Sequence, residues 1–312
     1  MKLKTSVAAF ILFLLSIENY LLKKFLYSMP LGMRYMILSA LGFSFMAVSV
    51  KWASALNIPV LEIVAARALV SLFLSYADVR RKRISPYGHK KILLFSRGAV
   101  GALALVCVYY AITHMPLAEA TVLQYLHPMF TAVLALFFLK ERIQLSVVLS
   151  IIFSFIGLML IARPDWLFGH TVQGLSYIAV VAAILGAFGS ALAYVLVRKL
   201  NETEDTSVII LYFPLIALPL SLVLLGNDFV MPTGYAWLAL LLVGIFTQVG
   251  QVGLTKAMQT ETASKATAFS YLQVVFATLL GWVFFSEIPD YWTLLGAGFI
   301  LSGAIVNMLW RR

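Results

Sequence analysis

Ala120-Thr121-Val122-Leu123-Gln124-Tyr125-Leu126-His127-Pro128-Met129-Phe130 returns 146 residues later as Ala266-Thr267-Ala268-Phe269-Ser270-Tyr271-Leu272-Gln273-Val274-Val275-Phe276. The same offset carries Leu134 onto Leu280, Phe138 onto Phe284, Glu141 onto Glu287 and Gly157 onto Gly303. Leucine and phenylalanine coincide easily in an apolar chain. Tyrosine, threonine, glutamate and glycine at one constant offset do so much less, and the chain reads as an internal duplication.

Apolar runs long enough to cross a hydrocarbon core surround these segments. They fall near 33–54, 59–77, 92–113, 118–139, 144–162, 174–197, 207–225, 235–256, 263–285 and 291–310. The chain is 62% hydrophobic and only 12% charged, where a soluble domain carries about 25% charge, so lipid must be its solvent. The runs lack the alternation of a closed barrel. The expected fold is therefore an all-α membrane protein with ten transmembrane helices.

Each copy of the repeat holds five spans. An odd number means that the second copy crosses the membrane upside down, giving two inverted five-helix halves, a recurring plan of secondary transporters. The charges agree. Lys140-Glu141-Arg142 ends the fourth span, whereas its counterpart Ser286-Glu287-Ile288 has lost both cations. Arg80, Arg81, Lys82, Arg83, Lys90, Lys91, Lys140, Arg142, Arg198, Lys199, Lys256 and Lys265 fall on one face, and the five connections of the other hold only Arg163. This bias sets both termini in the cytoplasm and the protein in the inner (cytoplasmic) membrane. The domains expected are a first repeat over 33–162 and a second over 172–312. Residues 1–32 form an N-terminal extension, either an interfacial helix or a mis-assigned start before Met29 or Met33.

Several chemistries find no support. The net charge of +10 belongs to the loops and implies no nucleic acid. No GxxxxGK[ST] loop is present to use ATP. The single Cys107 excludes an internal disulfide. Histidines 89, 114, 127 and 170 are scattered, so neither a metal site nor a cofactor is expected. No nucleophile–base pair at fixed spacing argues for an enzyme.

The stretch Tyr109-Tyr110-Ala111-Ile112-Thr113-His114-Met115-Pro116-Leu117-Ala118-Glu119-Ala120-Thr121, preceded by Arg97-Gly98, resembles the drug/metabolite transporter superfamily, and its EamA-type ten-helix branch in particular. Pro128 and Leu139-Lys140-Glu141-Arg142 extend the likeness, and Arg163-Pro164-Asp165-Trp166-Leu167-Phe168-Gly169 is similar to the solute-carrier relatives of that branch. The resemblance covers about residues 33–310. It implies a carrier of small metabolites, often outward, through a central cavity between the halves. The second half departs from the pattern, with Glu261-Thr262-Ala263 in place of Met115-Pro116-Leu117 and Val274 in place of Pro128. Only the fourth span is therefore expected to carry a proline break.

Charge inside a bilayer is expensive, so it marks either function or an internal pair. Arg67 lies near the midplane of the second span. It either holds an anionic group of a substrate, or caps carbonyls or pairs with Glu62; arginine is common at this place in the family, whatever the substrate. Pro128 cannot donate to the carbonyl of Gln124, so the fourth span should open beside His127, whose inverted partner is Gln273. Tyr125, Tyr271, Gln248 and Gln251 stand at similar depth, and Tyr212 is expected opposite Arg67 in the second half. Glu62 and Glu119 sit near a mouth as gate or solvated residues. The partners expected are a small-molecule substrate and the lipid bilayer. A homodimer and proton coupling through His127 stay open.

Overall fold

The computed structural model describes residues 29–114, 117–163 and 177–309. The part of the expected N-terminal extension up to residue 28 lies outside them. The described residues hold helices and connecting turns and no strand, and ten helical segments are long and apolar enough to cross a membrane.

In the first half α1 (Leu31–Ala55), α2 (Val60–Arg81) and α3 (Lys91–His114) are single helices. The fourth span is split into α4 (Leu117–Gln124), α5 (His127–Leu134) and a π-turn over Ala135–Leu139, and α6 (Leu145–Ala162) completes the set. The second half repeats the order with α7 (Tyr177–Leu200), α8 (Thr206–Leu225) and α9 (Tyr235–Thr260). Its ninth span consists of α10 (Ala263–Ala268), a 3₁₀ turn over Phe269–Tyr271 and α11 (Leu272–Phe285), before α12 (Tyr291–Leu309).

Local chemistry sets these ends. Pro30 and Pro59 stand just before α1 and α2, where a missing N–H costs no intrahelical bond. Asp205 caps α8 by accepting from the Ser207 amide at 2.8 Å, and Thr262 caps α10. Lys140 and Ser286, one repeat apart, both adopt left-handed backbone, with φ of 54° and 59°. Each lets the next amide fold back: Glu141 N–H bonds Ala135 O at 3.2 Å, and Glu287 N–H bonds Gly281 O at 3.3 Å. The repeat is thus written into backbone geometry as well as sequence.

Packing obeys the same exchange of halves. α1 lies along α9, and its image α7 lies along α3; α2 touches α9, and its image α8 touches α3. α11 packs on α1 as α5 packs on α7. Two pairs map onto themselves, α2 with α8 and α6 with α12, and so straddle a pseudo-twofold axis. The α6–α12 crossing is close because of glycine. A Cβ on Gly157 would lie 2.4 Å from the Gly296 carbonyl oxygen, and one on its repeat mate Gly303 would lie 2.8 Å from Ser150 O. Outward side chains are apolar: Phe73 is 72% exposed and Val223 78%, which only lipid contact makes tolerable.

The ninth span is interrupted too, without a proline, since Val274 stands in place of Pro128. Ser and Thr hydroxyls do here what proline does in the fourth span. Thr267 Oγ1 donates to Ala263 O at 2.9 Å and Ser270 Oγ to Thr267 O at 2.7 Å, competing with the helical ladder and tightening the turn.

Candidate functional site

The two broken spans cross near the axis. Tyr125 and Tyr271, repeat mates, meet there with ring centroids 5.5 Å apart, and Tyr271 Oη donates to Tyr125 O at 2.8 Å. Beside them a cavity of about 190 Å³ opens between the halves, bounded by the first four spans and by the sixth to ninth. Besides the second to fourth and the seventh to ninth spans, α1 and α7 line it, through Ser39 and Tyr194.

Of the residues expected at such a site, Arg67, Gln124, Tyr125, His127, Gln251 and Gln273 line the cavity. The Pro128 break is made good locally, since the freed Gln124 carbonyl accepts from His127 Nδ1 at 3.1 Å. Ser270 Oγ, whose own proton goes to Thr267 O, stands 3.3 Å from His127 Nε2. The His127 ring also meets Tyr194 edge-on at 5.4 Å.

Three expected residues stand elsewhere. Tyr212 turns away and donates to Tyr87 O at 3.0 Å; the constant repeat offset in fact brings Arg67 onto Phe213, which lines the cavity. Neighbours on a helix point about 100° apart, so only one of the two can face inward. Gln248 clips α2 to α9, accepting from Ser71 Oγ at 2.5 Å and donating to Ser75 Oγ at 2.9 Å. Tyr271 is wholly buried behind Tyr125 and supports the wall. The expectation that Glu62 is a gate or solvated residue is corrected in part: it is buried, and Oε2 accepts from the Val230 amide at 2.9 Å, tying α2 to the second half. Arg67 instead contacts Met46 Sδ at 4.0 Å and Phe213. Glu119 lies outside the described side chains.

The main residue missed is Arg97. It is only 3% exposed, and Nη2 donates to Gln251 Oε1 at 3.3 Å. Its Nε and Nη1 are buried with no partner among the described residues. Arg97 and Arg67 both stand against the Phe213 ring, their guanidinium carbons 5.1 and 5.6 Å from its centroid. Among the described residues no carboxylate lines the cavity. Arg97 could have been found by the reasoning that found Arg67, because it also sits well inside an apolar span, but it drew notice only as part of a motif.

Both mouths are tied across the halves. On the Lys/Arg-rich face Glu141 accepts from Arg198 Nε at 3.1 Å and from the Ala263 amide at 3.0 Å. Glu204 accepts from the His89 and Lys90 amides ahead of α3 at 2.6 and 2.5 Å, and Lys82 bonds Asp205 at 2.8 Å. Partial burial pushes the Asp205 carboxyl up, but its bonds to Lys82 and Ser207 outweigh that and hold it below the usual range. On the opposite face Lys51 pairs with Glu287, and Arg163 with Asp290.

Comparison with known proteins matches this geometry to one family. Residues 30–163 and 177–309 each match the EamA-like transporter family. The chain is 35% identical over 275 residues to the pseudopaline exporter CntI of Pseudomonas aeruginosa, covering 88% of this chain and 94% of that one. It is 31% identical over 278 residues to solute carrier family 35 member G1 of Mus musculus, covering 86% and 75%. A solved crystal structure superposes with a TM-score of 0.72 at 20% identity over 87% of this chain and 96% of that one, a likeness of fold alone. The chain, a multi-pass protein of the inner membrane, belongs to the EamA-like transporter family.

Proposed function

We propose that this chain is a secondary carrier that exports or exchanges a small polar or anionic metabolite by alternating access. The observation that carries the reading is the cavity itself, set between the two halves and lined by Arg67 with no carboxylate facing it among the described residues. A cation at mid-depth is costly unless something anionic comes to it. Two halves with exchangeable contacts offer two near-equivalent states, one open to each side. The export named for the Pseudomonas relative favours outward movement. The Lys/Arg-rich face is assigned to the cytoplasm on the charge rule.

In this reading Arg67 neutralises the substrate, Gln124, Tyr125, Gln251 and Gln273 hydrogen-bond it, and His127 and Pro128 hold the break open. Counterflow in proteoliposomes loaded with carboxylates, amino acids, nucleosides or amines is the test. Saturable, trans-stimulated exchange of anionic solutes is expected from the wild type. Arg67→Ala should lose at least tenfold in exchange while remaining monodisperse in detergent. Normal exchange of every solute by that variant would remove Arg67 from the site. Flux without trans-stimulation would identify a passive channel. Running the assay with and without a pH gradient tests proton coupling, which should shift exchange only if a proton accompanies the solute.

A further inference from the structure

We propose that the cavity selects solutes carrying two separate anionic groups, one for Arg67 and one for Arg97, and that Arg97 is the residue that sets this preference. The inference rests on the carrier reading of the same cavity and names its substrate class.

Three observations converge. First, two guanidiniums share one small cavity, and both stand against a single Phe213 ring. Their separation cannot exceed the sum of their distances to that ring, which a short dicarboxylate can bridge. Second, neither has an anionic partner among the described residues. Arg67 contacts the weakly accepting Met46 sulfur, and Arg97 the neutral Gln251 amide. Third, Arg97 keeps Nε and Nη1 buried and unbonded among the described residues. A buried guanidinium presents a planar fork that matches one carboxylate bidentately. Leaving such donors unmade costs stability that folding alone gives no reason to accept.

A monoanion would neutralise one cation and leave the other facing it in a medium that screens poorly. A solute with two carboxylates supplies a counter-charge to each guanidinium. Gln124 and Gln273, which also line the cavity, are neutral and fit the uncharged remainder of such a solute. Arg97 has Val243 as its repeat mate, so the two-cation site belongs to one half and is absent from its image.

The experiment sets charge number against shape. Labelled succinate counterflow is competed with succinate, with succinamate, in which one carboxylate is an amide, and with the uncharged succinamide. Wild type should be half-inhibited by succinate at a concentration at least tenfold lower than by succinamate, and succinamide should not compete. Arg97→Gln should bring succinate and succinamate within about twofold of each other while still exchanging succinamate; Arg97→Lys should keep part of the preference. Equal ranking of the two by the wild type, equal loss of both in Arg97→Gln, or stronger competition by a phosphate monoester than by succinate would overturn the proposal. Thermal stabilisation of the detergent-purified protein by the same ligands reads binding without flux. A succinate preference there, lost in Arg97→Gln, with no flux of any solute would sink the carrier reading and leave the two-anion site standing. Flux of other solutes with no such preference would do the reverse.

Discussion

Gly157→Leu is expected to unfold the protein or abolish its expression as a monodisperse species. α6 and α12 cross at this residue, and even the first carbon of a side chain would stand 2.4 Å from the Gly296 carbonyl and 2.8 Å from the Ile300 side chain. The nearer atom belongs to a backbone, which cannot swing aside. A Cβ added to the opposing Gly296 would likewise stand 2.4 Å from the Gly157 carbonyl oxygen, so neither helix has room to give. Overpacking a core commonly costs about 1–3 kcal/mol, and a backbone collision belongs at or above the top of that range. The fifth and tenth spans pack chiefly on each other, so separating them removes their main contact. Fluorescence-monitored unfolding in detergent checks this. A Gly157→Leu protein with the wild-type Tm would show that the crossing is not close.

Glu141→Ala should destabilise by roughly 2–3 kcal/mol, whereas its repeat mate Glu287→Ala should stay within about 0.5 kcal/mol of wild type. The two glutamates occupy equivalent backbone positions, and both reach across to the other half. Their surroundings differ. The Glu141 side chain is 10% exposed and serves both Arg198 and the Ala263 amide, so its loss leaves a partly buried cation and an unbonded N–H. Glu287 and Lys51 are 57% and 50% exposed, and water takes over when either is removed. The comparison is internally controlled, because the same substitution is made at the same place in each repeat. Equal Tm shifts would mean that the ties on the two faces are of equal strength.

The fold was legible because membrane insertion is governed by run length, and because the 146-residue offset falls on residues that backbone geometry needs. Glu141 and Glu287 are alike since both follow a left-handed turn; Gly157 and Gly303 are alike since both face a neighbouring backbone. The site was harder to read. Periodic apolar sequence carries no mark of which face of a span looks inward, so Tyr212 was taken where Phe213 lies, and Gln248 was placed in a cavity when it is held by two serines of α2. Arg97 was visible as a charge but was read as signature rather than as chemistry. The second break could not be inferred from proline, because threonine and serine hydroxyls produced it through bonds that only the folded turn reveals.

Tyr125 and Tyr271 are images of one another, yet only Tyr271 donates to its mate's carbonyl. Such a bond has a direction, and a two-fold rotation reverses direction, so a bond made once and not returned breaks the equivalence of the halves at this contact. Two separate half-length subunits meeting here would face a pair of degenerate arrangements with nothing to choose between them. Joining the halves in one chain lets their sequences diverge, and divergence lifts the degeneracy. The tyrosine pair is in that sense a one-bit register, recording which half leads.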